Sequence, residues 1–420
     1  MSSPTPLVRG LIGLVSAALG LALLTSVPPA TADDDGPNDD GPNDDALVGV
    51  TDVAVKLRAD QSVEEINAKY GTTVIDQVTP IRAYLLDPPA TTTPVQLVED
   101  LENDPALRLE WVEPNYADGQ PEGNPTYKWD DGEPVRVGDD PAAWRGQRAL
   151  STVRAPEAHQ TTRGEGTVVA VLDTGFRLGH PALSDRFTAN GYDFVDDDAV
   201  PAETRNGVDD DADGRTDEGR GHGTHVAGIV AVVAPGSRIM PLRVLDDEGL
   251  GSVWTTAEAI RWASERDADV INLSLGTAAD SELLEDAVED AEEDDVVVVA
   301  SAGNDSRSLR QWPAADEDAV AVASVTPTDL RSPFTNFGRW VDVAAPGQGI
   351  ISSFPRRVYA RWDGTSMAAP FVAGQVALLR AQRPAADAET LVARIKRTAV
   401  PVGAGLGAGR IDLAASLQRR

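Results

Sequence analysis

The chain has 420 residues, with 68 acidic against 36 basic side chains and a formal net charge of −32. It contains no cysteine, which excludes disulfide bonds, zinc–thiolate sites and a cysteine nucleophile. The acidic balance argues against nucleic acid as a partner, because phosphates would be repelled, and the length allows more than one domain.

The first 45 residues predict an export signal followed by a linker. Arg9 precedes the apolar stretch 11–27, and Ala30-Thr31-Ala32 fits a small-residue cleavage site, so residues 1–32 predict a secretory signal peptide. The apolar stretch is long for a signal, and an uncleaved membrane anchor is the alternative. Residues 33–45 repeat Asp-Asp-Gly-Pro-Asn and predict an acidic, low-complexity linker.

Residues 46–116 predict a small α+β domain. Expected strands 48–57, 72–78, 82–86 and 107–112 surround expected helices 63–70 and 93–103. The resulting order β-α-β-β-α-β is the ferredoxin-like pattern. Residues 117–146 are rich in Gly, Pro and Asp and predict an exposed connector, a kind of segment where proteolytic nicking concentrates.

From residue 147 onwards, apolar runs alternate with helical stretches. This alternation predicts an α/β domain with a mostly parallel sheet and helices on both faces. The expected strands are 168–172, 238–245, 268–275, 296–300 and 319–325, and the expected helices are 253–266, 281–293 and a buried helix opened by Ser366.

Polar residues stand at chemically useful places in this domain. Asp173 directly follows strand 168–172, where open α/β sheets place their sites. His222 lies between two glycines, which permit close approach to its ring, and Ser366 opens a helix, where unpaired N–H groups favour developing negative charge. Asp173 can therefore orient His222, and His222 can take the proton from Ser366. Asn304, after strand 296–300, offers an amide donor to an oxyanion.

The motifs around these residues resemble those of the subtilisin-like serine proteases, the subtilase family or peptidase S8. The resemblance covers residues 147–420, with a weaker extension over 46–116. It implies that Asp173 orients, His222 is general base and acid, Ser366 is the nucleophile and Asn304 binds the oxyanion. The matching motifs, in the family's order, are Asp173-Thr174-Gly175, Gly221-His222-Gly223-Thr224-His225-Val226-Ala227-Gly228, Ser301-Ala302-Gly303-Asn304 and Gly364-Thr365-Ser366-Met367-Ala368-Ala369-Pro370.

The resemblance also assigns a cleft for polypeptide substrates. One matching segment offers strand-like backbone to an extended peptide, and another forms a wall of the S1 pocket. Asp305 would favour a basic or polar side chain before the cleaved bond if it reaches that pocket, and is otherwise a turn residue. The residues of the two segments are Ser274, Leu275 and Gly276, and Ser301, Ala302 and Gly303.

By the same resemblance, residues 46–116 are an inhibitory and folding-assisting prodomain of the catalytic domain 147–420. Its C-terminal tail would lie in the cleft until it is cut. We expect self-cleavage in the connector 117–146, with Tyr116–Ala117 as the favoured bond and any bond up to about Arg148 open.

An acidic loop before His222 predicts a structural Ca²⁺ site. Its carboxylates match positions 1, 3 and 5 of an EF-hand loop, a glycine follows, and a backbone carbonyl and a fourth carboxylate fall at positions 7 and 9. Arg220 replaces the usual position-12 glutamate, for which Glu218 is a substitute. Without a cation these carboxylates repel each other, although a solvated acidic loop is the alternative. The expected ligands are Asp209, Asp211, Asp213, the Arg215 carbonyl and Asp217.

Together these features predict a secreted, calcium-stabilised, monomeric serine endopeptidase made as a self-processed precursor. A catalytically silent, calcium-binding adhesion protein on the same fold is the rival from another class. His225, three residues after His222, leaves a metal-binding histidine pair as a further alternative, although no third ligand is apparent in the sequence.

Overall fold

In a computed structural model of the chain, the structure describes residue 47 and residues 49–121, 134–209 and 214–418. The predicted signal peptide, the acidic linker, residues 46 and 48, the middle of the connector and four residues of the acidic loop lie outside this part. No helix within these described ranges is long and apolar enough to cross a membrane.

The N-terminal region folds in the predicted β-α-β-β-α-β order. Its antiparallel sheet has the strand order β2-β3-β1-β4. One face of the sheet packs on both helices around Val53, Val55 and Leu57, and the other face contributes Ala54 and Leu85 to a core shared with the rest of the chain. The elements are β1 (Val53–Leu57), α1 (Val63–Tyr70), β2 (Thr73–Val78), β3 (Ala83–Asp87), α2 (Pro94–Glu102) and β4 (Leu109–Pro114).

The prediction of an exposed connector is wrong for residues 117–121. Asp118, Gln120 and Pro121 are buried, because the segment pairs with a strand of the large domain. The Gly and Asp content indicated an exposed segment, but composition reports only on side chains. The pairing uses backbone atoms, so composition could not indicate it. The elements that follow this N-terminal region are β5 (Ala117–Gly119), β6 (Val135–Gly138), α3 (Ala142–Arg145), α4 (Arg148–Thr152) and α5 (Ala155–Ala158).

The large domain is built on a seven-stranded sheet in which every neighbouring pair is parallel, in the order β14-β13-β12-β11-β7-β9-β8. A second, antiparallel sheet joins β15, β16 and β6. The elements are β7 (Val168–Asp173), β8 (Tyr192–Asp193), α6 (His222–Val233), β9 (Arg238–Arg243), β10 (Leu250–Ser252), α7 (Val253–Ser264), β11 (Val270–Leu273), α8 (Glu282–Glu293), β12 (Val297–Ser301), β13 (Ala319–Val325), β14 (Val343–Pro346), β15 (Ile350–Phe354), β16 (Val358–Trp362), α9 (Thr365–Gln382), α10 (Ala388–Thr398) and α11 (Leu413–Ser416).

Helices cover both faces of this sheet, as predicted. Val169 and Val171 of β7 point into the core formed with α6 and α9, while Ala170 and Leu172 point into the core formed with α7 and α8. A strand buried on both faces needs apolar residues at every position, which explains the continuous apolar runs of the sequence.

The topology creates a crevice at the carboxyl ends of two adjacent strands. From β7 the chain builds β8 and β9 on one side and then crosses to β11 on the other. Open α/β sheets place their ligands where the strand order reverses in this way. Asp173 ends β7 and Ser274 follows β11, so both lie at this point.

Candidate active site

Asp173 and His222 form a buried hydrogen-bonded pair. His222 begins α6, Asp173 ends β7, and the distance from Nδ1 of His222 to Oδ1 of Asp173 is 2.8 Å. The same Asp173 oxygen accepts from the backbone N–H of Thr174 at 2.8 Å, which fixes the carboxylate. A side chain at Gly223 would place its Cβ 3.1 Å from Asp173 Oδ1, so glycine keeps this pair accessible. Because Nδ1 donates to the carboxylate, Nε2 is the ring nitrogen that can accept a proton.

Ser366 lies in the first turn of α9, which packs against α6. Its hydroxyl donates to the carbonyl of Ser274 at 3.2 Å, and the hydroxyl of Ser274 donates to the carbonyl of Ser366 at 2.9 Å. Asn272 in turn donates to the Ser274 hydroxyl at 3.0 Å. This reciprocal pair ties the start of α9 to the end of β11, so Ser274 supports the position of Ser366.

Asn304 is oriented by the residue that precedes Ser366. Its side-chain oxygen accepts from both the backbone N–H and the hydroxyl of Thr365, each at 2.9 Å. The amide nitrogen therefore forms the opposite end of the group and is the end able to donate. The backbone N–H of Ser366 belongs to a helix turn whose N–H groups do not bond within the helix. Asn304 and Ser366 thus present two donors of the type that stabilises an oxyanion.

The ring of His225 is packed in the protein interior. It is fully buried, its Nε2 donates to the carbonyl of Ala360 at 3.2 Å, and its ring lies edge-on to Trp362. Burial lowers the pKa of His225 to about 3, so the ring is neutral. These contacts favour packing over the metal-pair alternative.

Residues 117–120 lie in the predicted substrate cleft. On one side, β5 pairs antiparallel with β10, and on the other side Gly119 and Gly276 exchange backbone hydrogen bonds of 3.0 and 3.1 Å. Gln120 N also donates to the carbonyl of Gly249 at 3.0 Å. The segment is thus an extended peptide held by backbone bonds at both edges, which is the β-addition mode of peptide recognition.

The other predicted cleft residues are either buried in the core or hydrogen-bonded through their backbone. Leu275 is buried in the core shared with α7 and α8. Ser301 ends β12, Ala302 is buried, and Gly303 donates from its backbone to the hydroxyl of Thr365 at 3.1 Å. Asp305 exchanges bonds with Asn336, accepting from its amide at 3.3 Å and donating from the backbone at 2.9 Å, which is the environment of a turn residue.

Sequence reasoning missed Gln311. An added Cβ at Gly276 would lie 2.2 Å from Gln311 Nε2, and one at Gly303 would lie 2.0 Å from Gln311 Oε1. The Gln311 amide therefore lies between the two predicted walls of the cleft. Nothing in the local sequence indicates this position, because Gln311 reaches the site from a loop that pairs with Thr277.

The structure describes only part of the predicted calcium loop. Asp209 Oδ2 accepts from the backbone N–H of Gly214 at 3.0 Å, and Gly214 has a φ of 95°, so the first carboxylate closes over a glycine turn as the interpretation requires. Asp217 instead binds protein groups: its Oδ1 accepts from the backbone of Asn206 and Gly207, and its Oδ2 pairs with Arg205. Arg215 is exposed.

Asp211 and Asp213 lie outside the described residues, and among those described no group of three acidic or histidine side chains is placed to hold a metal. The fit to calcium therefore rests on Asp209 and Gly214, while the Asp217 carboxylate is already engaged.

The N-terminal region caps a helix of the large domain, a second feature that the sequence did not reveal. Glu113 is 5% exposed and accepts from the hydroxyl of Ser281 at 2.6 Å and from the backbone N–H groups of Glu282 and Leu283 at 3.0 and 3.2 Å. Burial raises the pKa of Glu113 to about 7. One carboxylate of the N-terminal region thereby binds the unpaired N–H groups in the first turn of α8.

Comparison with known families assigns the chain to a family. The family model of the subtilases (peptidase S8) matches residues 164–414. The chain belongs to the subtilase family. A second family model, the fervidolysin N-terminal prodomain, matches residues 52–115. The protein is therefore a subtilisin-like serine endopeptidase with a prodomain.

Individual relatives cover different shares of this subtilase. Thermitase of Thermoactinomyces vulgaris is 39% identical over 257 residues, which are 59% of this chain and 86% of thermitase. Halolysin of Haloferax mediterranei is 37% identical over 283 residues, 64% of this chain and 52% of halolysin. Fervidolysin of Fervidobacterium pennivorans, described as a keratinolytic enzyme related to subtilisin, matches with a TM-score of 0.72 at 26% identity, over 88% of this subtilase and 61% of the fervidolysin chain.

Proposed function

We propose that the protein is a secreted endopeptidase that hydrolyses peptide bonds through Asp173, His222 and Ser366. The observation that carries this proposal is the buried 2.8 Å hydrogen bond between His222 and Asp173. His222 begins α6, which packs against α9, the helix that contains Ser366 in its first turn. This arrangement supports the roles of His222 as an oriented base and of Ser366 as a nucleophile at a helix N-terminus.

In the proposed reaction, His222 Nε2 takes the proton of the Ser366 hydroxyl while Ser366 Oγ forms a bond to the carbonyl carbon of the substrate. The oxyanion is stabilised by the Asn304 amide and the Ser366 backbone N–H. The carbon–nitrogen bond then breaks, His222 gives its proton to the leaving amine, and an acyl-enzyme remains on Ser366. Water repeats the two steps and releases the acid.

Hydrolysis of casein and of quenched-fluorescence peptides tests the proposal. Ser366→Ala and His222→Ala should each lower kcat on the order of 10⁶-fold, with an unchanged far-UV circular dichroism spectrum. A Ser366→Ala protein that keeps most of the parent's activity would mean that another group is the nucleophile, and an inactive parent would favour the silent adhesion protein.

We propose further that residues 117–121 occupy the cleft as an intramolecular substrate. The antiparallel pairing places Gly119 opposite Gly276, so residue 121, two positions later, falls opposite Ser274, two positions earlier. The Ser274 carbonyl is the one 3.2 Å from Ser366 Oγ. Self-cleavage is thus expected directly after Pro121.

The favoured Tyr116–Ala117 bond does not fit this register. The Tyr116 carbonyl accepts from Val253 N at 2.9 Å at the start of α7, five positions away from Pro121 along an extended segment. N-terminal sequencing of the matured protein distinguishes the two bonds, because cleavage after Pro121 gives a chain that begins at Glu122 and cleavage after Tyr116 gives one that begins at Ala117.

Export, oligomeric state and calcium are parts of the same proposal. The signal-like residues 1–32 support secretion, which the N-terminus of the exported precursor tests: Asp33 or a later residue indicates a cleaved signal, and a retained Met1 in the membrane fraction indicates an anchor. We propose a monomer in solution, checked by light scattering.

We also propose a structural Ca²⁺ bound by Asp209, Asp211, Asp213 and the Arg215 carbonyl. The hydrogen bond from the backbone N–H of Gly214 to the Asp209 carboxylate supports this proposal.

A further inference from the structure

A proline lies in the cleft segment at a position where the backbone pairing requires a hydrogen-bond donor. Gly119 and Gly276 exchange two backbone hydrogen bonds, of 3.0 and 3.1 Å, so they form a hydrogen-bonded antiparallel pair. In such a pairing the next hydrogen-bonded pair lies two residues along each strand. That pair is residue 121 with Ser274, and the N–H of residue 121 is the group that would donate to the Ser274 carbonyl.

The neighbouring residue supports this direction. Along an extended strand, successive residues direct their N–H groups to opposite edges. Gln120 donates its N–H to the Gly249 carbonyl at 3.0 Å, next to β10, so the nitrogen of residue 121 faces the other edge, where Ser274 follows β11. Residue 121 is Pro121, which is buried and has no N–H. One bond of the ladder is therefore lost opposite Ser274.

The Ser366 hydroxyl takes the place of the missing donor. Ser274 is fully buried, and a buried carbonyl needs a donor. The Ser274 carbonyl accepts from the Ser366 hydroxyl at 3.2 Å. A hydroxyl has one proton to donate, so the Ser274 carbonyl competes with His222 Nε2 for the proton that leaves Ser366 in the proposed reaction.

We propose that Pro121 delays self-cleavage of the precursor, because it withholds the N–H group that would otherwise bind the Ser274 carbonyl. This inference rests on the proposed peptidase function and on the pairing of residue 121 with Ser274. The covalent steps are those of the proposed reaction: Ser366 Oγ bonds to the Pro121 carbonyl carbon, and the nitrogen of Glu122 leaves with the proton from His222.

The missing bond slows this reaction in two ways. The carbonyl to be attacked is held by one strand bond fewer, and the Ser366 hydroxyl is held by Ser274 until that bond breaks. Residue 121 therefore sets how long the precursor stays uncut, while the catalytic groups remain unchanged.

The rate of maturation tests this role. Precursor chains of the parent, Pro121→Ala and Pro94→Ala would be purified in denaturant and refolded by dilution, and their conversion followed by gel electrophoresis. Pro121→Ala should mature about tenfold or more faster than the parent, since it restores a hydrogen bond to a buried acceptor. Pro94→Ala is the matched control, because Pro94 opens α2 outside the cleft, and it should mature at the parent's rate.

The site of cleavage belongs to the same test. N-terminal sequencing should show that the matured chains of the parent and of Pro121→Ala both begin at Glu122. Equal maturation rates in these two proteins would overturn the proposal, and so would a Pro121→Ala chain that begins at another residue.

Peptides separate the missing N–H from the shape of the proline ring. The series Ala-Asp-Gly-Gln-X-Glu-Gly-Asn repeats residues 117–124, with Ala, N-methylalanine or Pro at X. The matured protein should hydrolyse the bond after X about tenfold or more slowly in the N-methylalanine and Pro peptides than in the Ala peptide, as kcat/KM. N-methylalanine lacks the N–H but has no ring, so a rate equal to that of the Ala peptide would contradict the proposal.

Hydrogen exchange checks the strand bond without catalysis. In a Ser366→Ala precursor that also carries Pro121→Ala, the new N–H of residue 121 should be protected on the order of 100-fold relative to the free peptide. An unprotected N–H would mean that residue 121 does not pair with Ser274, and the inference would fail with that pairing.

Failure of the inference is distinguishable from failure of the proposed function. If neither casein nor any peptide is hydrolysed faster by the parent than by Ser366→Ala, the peptidase proposal fails. If casein is hydrolysed in a Ser366-dependent way but Pro121→Ala matures no faster than the parent, only the role of Pro121 fails.

Discussion

Glu113 should make the contact between prodomain and large domain weaken as pH rises. In the closed contact the carboxyl is buried against α8 and its pKa is about 7, whereas in an open contact it is solvated and its pKa returns to 4.5. The closed state therefore holds the proton more tightly. Its extra stability is complete below pH 4.5 and is lost as pH rises through 7.

The size of the effect follows from the difference in pKa. A change of one pKa unit corresponds to about 1.4 kcal/mol, so a group buried as fully as Glu113 contributes about 3 kcal/mol, on the order of a 100-fold change in the opening equilibrium. Glu258, whose pKa is also raised to about 7 by burial and by Asp76, titrates in the same range. The difference between the parent and a Glu113→Gln variant isolates Glu113, because glutamine does not titrate.

Hydrogen exchange of the α8 N-terminus reports this opening. The backbone N–H groups of Glu282 and Leu283 donate to Glu113 and exchange when the contact opens. In a Ser366→Ala background, which prevents self-digestion, their protection corrected for intrinsic exchange should fall on the order of 100-fold from pH 4.5 to 7.5, and by much less in Glu113→Gln. Parallel pH profiles in the two proteins would mean that the Glu113 proton does not control the opening.

Further predictions concern the site and its support. Asp173→Asn should lower kcat about 10⁴-fold, since His222 would lose the acceptor that sets its tautomer, and steady-state kinetics checks this. Asn304→Ala should lower kcat about 100- to 1000-fold with little change in KM. Arg243→Met should destabilise the chain by about 3–5 kcal/mol in urea unfolding, because it removes the guanidinium that pairs with the buried Asp193 carboxylate; an unchanged free energy of unfolding would contradict this expectation. Chelation should lower the thermal midpoint of the parent but not of an Asp211→Ala, Asp213→Ala double variant, and an equal response in both would remove the calcium site from this loop.

The sequence predicted the strands and helices around the candidate site well, because each of these elements has a local signal. The strand expected at 168–172 lies at Val168–Asp173, and its apolar run is continuous because both faces are buried. Helix Glu282–Glu293 begins one residue after the expected start, with Ser281 as its cap. For other strands the local pattern predicted too long an element. β9 ends at Arg243 rather than Leu245, because the N–H groups of Val244 and Leu245 both donate to the carbonyl of Asp173.

Contacts between distant segments could not be predicted from the sequence. The pairing of β5 with β10 uses backbone atoms, so no side-chain pattern in residues 117–121 announces it. The same holds for the Glu113 cap on α8 and for Thr256 beside Asp118, which join residues more than a hundred positions apart. A register between such segments depends on how two domains pack, and a one-residue slip would change which bond faces Ser366.

We propose Ser366 as a nucleophile activated by the His222–Asp173 pair, and covalent trapping tests this role most directly. The matured protein would be treated with a serine-directed fluorophosphonate and the modified residue located by peptide mass mapping. One phosphonyl group is expected on Ser366 in the parent, and it should form far more slowly in His222→Ala. Label on another residue of an active protein, or equal labelling rates in parent and His222→Ala, would contradict it.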